Sequence, residues 1–445
     1  MTKNRLRIVV IGGGSFAWTP TVVRDMLLTP ALGDSEFVLL DINKRASDLT
    51  KLFLEKLARE LGVKARFVST DRRDALRGAD YVVITISTGG FDAMAHDLAI
   101  PERFGVYHTV GDTSGPGGWA RLIRNFDVFV SLAHDINRYA PGAFVLNYTN
   151  PMATLTDVLA RLCHGPVVGL CHGLFENLEL IQKFYRIENE NRIAVNYAGI
   201  NHFFWITSAY ADGRDVLADL TRRLRRQSLT DIFSSPHMDQ RGFSSKREVA
   251  TELFHLTGIL PYMGDRHTCE FFPEYITNKS NMKKYKLVRT TIAERRRVNK
   301  MEGKQVVNMI RGQIPDHYKK RTRETAADII EAHSQGKVFI DVGNVPNIGQ
   351  IANLPRGLVV ETAVRVDRNG VTPLVFGELP RVVQGFIEPY GHVFPMVVDA
   401  CFRRDKKLAL QALRLDPVCA HLNGAQVADL GERLLAAHRR FITVF

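Results

Sequence analysis

Two rhythms of apolar and polar positions alternate along the first half of this chain. Short unbroken apolar runs have the length of strands: Arg7 to Ile11, Glu36 to Leu40, Ala65 to Thr70, Tyr81 to Ile86, Ala143 to Asn147 and Val167 to Leu170. Between them, Pro20 to Leu28 and Lys44 to Leu61 space their apolar residues as helices do. Strands that are apolar throughout, separated by helices, predict a parallel sheet covered on both faces. The expected fold is therefore α/β, a doubly wound Rossmann-type sheet over residues 1–200. Beyond residue 200 longer helical stretches take over, with a strand-rich insertion from Val338 to Val366. The second half, 201–445, is expected to be an α+β domain that closes over the first.

The length of 445 residues agrees with two domains. With 45% apolar and 24% charged residues, the composition is that of a globular protein, and no apolar run is long enough to span a bilayer. The five cysteines are odd in number and scattered, which argues against a disulfide framework and for a reducing, cytoplasmic setting. The net charge of +12 raises the question of nucleic acid. Its basic clusters, such as Arg222-Arg223-Leu224-Arg225-Arg226, lack the interleaved aromatics of a stacking platform. No nucleic-acid or membrane partner is expected; a pull on anionic small molecules is.

Gly12-Gly13-Gly14-Ser15-Phe16-Ala17 fits G-x-G-x-x-[GA] between the first strand and the first helix. The first glycine permits the turn, the second lets the backbone approach a pyrophosphate, and the helix N-terminus receives the charge. Asp41 ends the second strand, where a carboxylate can accept from both ribose hydroxyls. Gly12, Gly14, Ser15, Phe16 and Asp41 are thus the expected NAD contacts, the acid disfavouring a 2′-phosphate. Cys171 follows the sixth strand and His202 another strand-like run. By residue type alone, a buried structural cysteine and a packed histidine fit them better than a metal site does.

A wider set of motifs changes that balance. Gly12-Gly13-Gly14-Ser15, Asp112-Thr113-Ser114-Gly115-Pro116-Gly117-Gly118, Asn147-Tyr148-Thr149-Asn150-Pro151, Cys171-His172-Gly173, Gly199-Ile200-Asn201-His202, and Asn344-Val345-Pro346-Asn347-Ile348-Gly349 through Asn353-Leu354-Pro355 resemble glycoside hydrolase family 4, in order and over most of the chain. The resemblance implies a fold related to lactate and malate dehydrogenases and an NAD- and Mn²⁺-dependent glycosidase, an exception to two-carboxylate hydrolysis. It implies Cys171 and His202 as metal ligands; Cys/His ligation alone would suit other divalent metals too. The implied chemistry is hydride removal from C3, deprotonation at C2, elimination of the glycosidic oxygen, addition of water and return of the hydride.

For the C2 base the resemblance favours Asp265 over Tyr262, with His267 and Glu270 close by. It places His172 as the acid. Asn150 and Asn201 are expected on the C2 or C3 oxygens, Asp112 in a loop over the sugar, and Arg266 on a C6 carboxylate. The Cys-His pair and the glycine-rich loop look most like the α-galactosidase and α-hexuronidase side of the family. The expected substrate is an unphosphorylated α-glycoside, and the expected assembly a homodimer or homotetramer. A 6-phospho-glycosidase of the same family, an NAD-dependent sugar or hydroxy-acid dehydrogenase, and a silent sugar-binding protein are the alternatives.

Overall fold

The computed structural model describes residues 5–233 and 246–445. Six parallel strands open the chain: β1 (Arg7–Ile11), β2 (Glu36–Leu40), β3 (Arg66–Thr70), β4 (Tyr81–Ile84), β5 (Phe144–Asn147) and β6 (Val167–Gly169). They lie side by side in the order β3-β2-β1-β4-β5-β6, the expected doubly wound arrangement. Residues of alternate parity serve opposite faces, as the strand period of two requires. Val9, Ile11, Val38, Leu40, Val82 and Val145 pack into one core, under α4 (Gly115–Tyr139) and α5 (Met152–Leu162), with α3 (Gly90–Glu102) beside α4. Ile8, Val10, Phe37, Leu39, Val83 and Leu146 pack into the other, under α1 (Trp18–Leu27) and α2 (Lys44–Leu61). The ends of α2 follow local chemistry. Asn43 caps its start by accepting from Ala46 N–H, and Gly62 ends it in the left-handed conformation at φ 71°.

The second half does not build a sheet of its own. The strands β7 (Ile193–Ile200), β8 (Phe203–Ala211), β9 (Arg214–Asp215), β10 (Leu260–Pro261), β11 (Phe339–Pro346), β12 (Val359–Asp367) and β13 (Gly370–Pro373) extend the same sheet. The order continues β6-β11-β12-β7-β8-β10, with β13 on β12 and β9 on β8, making 13 strands in all. These additions are antiparallel, and β11 joins the parallel half through Asn344 opposite Gly169 of β6. The strand-rich stretch anticipated after Val338 is this β11–β12 hairpin, and it seals the β6 edge. β7 pairs with β8 and β12, so the sheet passes through residue 200 without a break. Later helices, Arg381–Arg403, Lys406–Leu415 and Gly424–His438, cover the α4–α5 side. Among the described residues, no helix is long and apolar enough to cross a membrane.

Candidate active site

The carboxyl ends of β1, β2, β4, β5 and β6 face one edge of the sheet. There the β1–α1 turn has Gly12 at φ 95°, with its N–H on Leu40 O at 2.9 Å. A Cβ at Gly12 would lie 2.1 Å from the carbonyl oxygen of Thr85, so only glycine fits. Gly14 N–H donates to Asp41 Oδ2 and Asn43 N–H to Asp41 Oδ1, both at 2.8 Å. The acid ending β2 is thereby tied to the turn ending β1, and each oxygen keeps a lone pair to offer. Ser15 Oγ accepts from Trp18 N–H at 3.1 Å and steadies the first turn of α1. The Phe16 ring lies against Gly303 of the helix Ile292–Arg311. This turn fits a dinucleotide: a helix N-terminus for the pyrophosphate and a carboxylate for the ribose.

Further along the edge, the β7–β8 hairpin turns through Asn201 and His202, the latter in the left-handed region at φ 62°. A histidine there is an uncommon backbone choice, of the kind that marks functional turns. His202 Nδ1 lies 2.9 Å from Thr113 Oγ1, and the Thr113 hydroxyl donates to Asp112 Oδ1 at 2.9 Å. Having given its one proton to Asp112, Thr113 can only accept from the imidazole. Nδ1 therefore carries the hydrogen, and Nε2 keeps the lone pair that a metal needs.

Ligand atoms of Asp112, His202 and His267 all lie within 4.8 Å of one another. The two imidazoles stack with centroids 3.9 Å apart and planes at 29°. His267 Nδ1 is buried, 3.9 Å from Asp112 Oδ1, with no hydrogen-bond partner among the described residues. Burial and neighbouring positive groups keep the imidazoles neutral: His202 is pushed down to about 4, and His267 well below its usual value. Burial would raise Asp112, but His267, which is charged in acid, together with Arg121, His202 and Arg295, holds it well below the usual carboxylate range. One anion between two neutral imidazoles is a donor set that suits a divalent cation.

Cys171, two residues beyond β6, lies outside that trio. Its Sγ accepts from Gly173 N–H at 3.4 Å. Burial and then the Glu361 carboxyl push its thiol well above the ordinary value. His172 begins α6 (Gly173–Tyr185) half-exposed, with Nε2 3.6 Å from Glu176 Oε1 and Nδ1 3.9 Å from Glu324 Oε1. Its ring lies 5.7 Å from that of Trp18, beside the dinucleotide turn. Asn150 offers a buried Oδ1 with no partner among the described residues, while its carbonyl accepts from Arg121 Nε at 3.0 Å.

Two expected residues have other work. Asp265 is 1% exposed and accepts from Val249 N–H at 2.7 Å and Ala250 N–H at 3.0 Å. Its carboxylate is thereby engaged by the first turn of the helix Glu248–Thr257, which precedes it in the chain, and is not one of the three groups that converge around His202. Arg266 is likewise turned inward. Its guanidinium donates to the carbonyls of Val288 (2.9 Å) and Thr109 (3.2 Å) and to the Thr290 hydroxyl, which corrects its placement on a C6 carboxylate. Tyr262 is buried and donates its hydroxyl to Glu176 Oε2 at 2.9 Å.

Sequence reasoning missed Thr113, which sets the His202 tautomer, and the buried pair Asn344 and Glu361. The last left a signal, a lone charge inside the apolar run Val359 to Val364. Glu270, weighed only for direct chemistry, holds the glycine-rich loop instead. Its carboxylate accepts from Thr109 Oγ1 (2.9 Å), Val110 N–H (2.7 Å) and Gly111 N–H (2.9 Å).

A dinucleotide-type turn and a histidine–carboxylate cluster on one edge of a doubly wound sheet define a class of enzymes that pair redox and metal chemistry. Within it, this chain belongs to family 4 of the glycosyl hydrolases. The "Family 4 glycosyl hydrolase" model matches residues 7–187, and the model of that family's C-terminal domain matches 197–419. The chain is 30% identical over 449 residues to an α-galacturonidase of Thermoanaerobacter italicus, covering 98% of this chain and 97% of the relative. It is 32% identical over 438 residues to an α-galactosidase of Bacillus subtilis, covering 97% of this chain and 98% of the relative. A crystal structure of a Bacillus subtilis protein named as a glucosidase superposes with a TM-score of 0.87 at 31% identity, covering 97% of this chain and all of that one. The chain is a glycosidase, and the family is NAD- and metal-dependent.

Proposed function

We propose that this chain hydrolyses an unphosphorylated α-galacturonide or α-galactoside by transient oxidation at C3, proton removal at C2 and elimination of the glycosidic oxygen. The convergence of Asp112, His202 and His267 along the edge that also holds the Gly12–Gly14 turn carries this reading. The relatives named α-galacturonidase and α-galactosidase support the choice of sugar. NAD⁺, when bound, supplies the acceptor and later the donor of the C3 hydride, and a divalent metal such as Mn²⁺ polarises the adjoining sugar oxygens.

The protein's own residues do the rest. The α1 N-terminus with Gly12, Gly14, Ser15 and Phe16 receives the dinucleotide, and Asp41 takes the ribose hydroxyls. His202 Nε2 and Cys171 hold the metal, with Asp112 as the charge beside them. His267 replaces Asp265 as the group that takes the C2 proton, because its buried Nδ1 has no other partner among the described residues. His172, between Glu176 and Glu324, gives a proton to the leaving oxygen. Asn150 and Asn201 accept from the sugar hydroxyls.

The test is hydrolysis of p-nitrophenyl α- and β-glycosides of glucose, galactose, their uronic acids and their 6-phosphates. NAD⁺, Mn²⁺ and reductant are each omitted in turn. Release from the α-galacturonide or α-galactoside, lost without NAD⁺ or without Mn²⁺, is the expected result. Release that ignores both cofactors, or NADH that accumulates from free sugars without any glycoside cleavage, would overturn it.

A further inference from the structure

Behind the site the sheet register sets Asn344 of β11 opposite Glu361 of β12, and Glu361 opposite Gly199 of β7. Residues side by side in such a row share a face. Glu361 is completely buried, and an isolated buried carboxylate costs several kcal/mol, so its partners matter. It has two, both on one oxygen. Asn201 Nδ2 and Asn344 Nδ2 each donate to Oε2 at 3.0 Å.

That geometry fixes which way both amides face. Oε2 accepts whether Oε1 carries a proton or not, so each amide must turn its NH₂ toward Glu361. Three atoms are left over: Glu361 Oε1, Asn201 Oδ1 and Asn344 Oδ1. All are buried, and none has a hydrogen-bond partner among the described residues. Native interiors rarely leave such atoms unmatched, and these three lie in one cluster, one residue from His202. On the two amides the unpartnered atoms are the oxygens, which accept. A ligand that satisfies them must bring hydrogens, as sugar hydroxyls do.

We propose that Glu361 is a specificity-determining positioning residue for the sugar subsite: by drawing both NH₂ groups to itself it turns the oxygens of Asn201 and Asn344 outward, so the subsite presents acceptors and favours hydroxyls over groups that cannot donate. The proposal rests on the reading that Asn201 borders the sugar. It assigns to Glu361 no contact with the reacting atoms. Its effect is carried by the fixed amides, and a site whose polar groups are matched to a hydroxyl penalises any analogue lacking one.

The test is calorimetric binding of galacturonic acid, galactose and their 2- and 3-deoxyfluoro forms to the NAD⁺- and Mn²⁺-loaded enzyme. Wild type is expected to bind the better parent sugar at least ~10-fold more tightly than one of its fluoro forms, about 1.4 kcal/mol. The near-isosteric Glu361→Gln can meet the amides with oxygen or NH₂, so the flips are no longer dictated. Discrimination should then fall below ~3-fold while the NAD⁺ dissociation constant holds, a split that lost packing alone would not produce. Should Glu361→Gln fail to fold, Asn344→Leu removes one acceptor at similar volume and should shrink the same ratio by at least ~3-fold. A Glu361→Gln or Asn344→Leu enzyme with wild-type affinity and wild-type discrimination overturns the proposal, as does a wild type that does not discriminate. Failure of the underlying reading looks different: the wild type then binds neither parent sugar.

Discussion

At the scale of single residues, the division of labour between Asp265 and His267 is decided by what each already touches. Asp265 holds two backbone N–H groups of the helix Glu248–Thr257, and burial raises it to about 8 against those donors. Asp265→Ala leaves two buried amides without a partner. It should cost ~1–3 kcal/mol, read as a lower urea midpoint at unchanged slope. C2 proton exchange should persist in the fraction that stays folded. His267→Asn should do the reverse, with little change in the urea midpoint and exchange at C2 slowed ~100-fold or more. Deuterium incorporation into the sugar measures both. If Asp265→Ala abolishes exchange at full stability while His267→Asn retains it, the two roles must be exchanged. Mn²⁺ affinity separates the remaining option for His267: as a base it can be lost with only a few-fold weakening, whereas a ligand cannot.

At the scale of elements, the glycine-rich loop and the α4 N-terminus behave as one device. Glu270 grips residues 109 to 111 from one side, and Asp416 accepts from Gly115 N–H at 3.0 Å on the other. Between them sit Asp112 and Thr113. A Cβ on Gly118 would fall 2.5 Å from the Thr113 carbonyl, so Gly118→Ala must displace the residue that orients His202. The expected result is a Mn²⁺ affinity weakened ~10–100-fold with NAD⁺ affinity unchanged, and equal Mn²⁺ affinity would separate the loop from the metal. Asp416 adds a pH signature. Burial raises it to about 6, opposed by the amides of Val418 and Gly115 and by His108. The folded chain therefore holds this proton over a range where the unfolded chain has released it. The contribution is fully present below about pH 4 and lost as pH rises through 6. Relative to Asp416→Asn, wild type should lose up to ~3 kcal/mol of unfolding free energy between pH 4 and 6.5 in urea titrations, and parallel curves would refute the assignment.

At the scale of the whole molecule, the sheet separates what the chain displays locally from what it hides. The six parallel strands and the β1–α1 turn are legible because each is a local pattern: an apolar run, a glycine cluster, an acid one strand later. The hairpin that presents His202 is legible as a motif, but the joining of β11 to β6 is not. That pairing brings Asn344 to Gly169 across a wide stretch of sequence and follows from edge closure, not periodicity. The partners of Asp265 and Arg266 were not legible for a related reason, since most are backbone groups of neighbouring segments, which no side-chain pattern records. Charge is a whole-molecule property that was legible, and it bears on the sugar. The chain carries +12, and Arg121 and Arg295 both act on Asp112 within the site. A galacturonide is an anion and should be drawn toward such a field, whereas a galactoside should not. With NAD⁺ and Mn²⁺ saturating, raising salt from ~10 mM to ~150 mM shortens the screening length from about 30 Å to about 8 Å. If the uronide is the substrate, its kcat/KM should fall several-fold across that range while kcat holds, because screening weakens encounter and not chemistry. The galactoside serves as the internal control and should stay flat. A uronide rate indifferent to salt, beside a faster galactoside, would assign the enzyme to neutral α-galactosides and leave the positive field without a part in substrate choice.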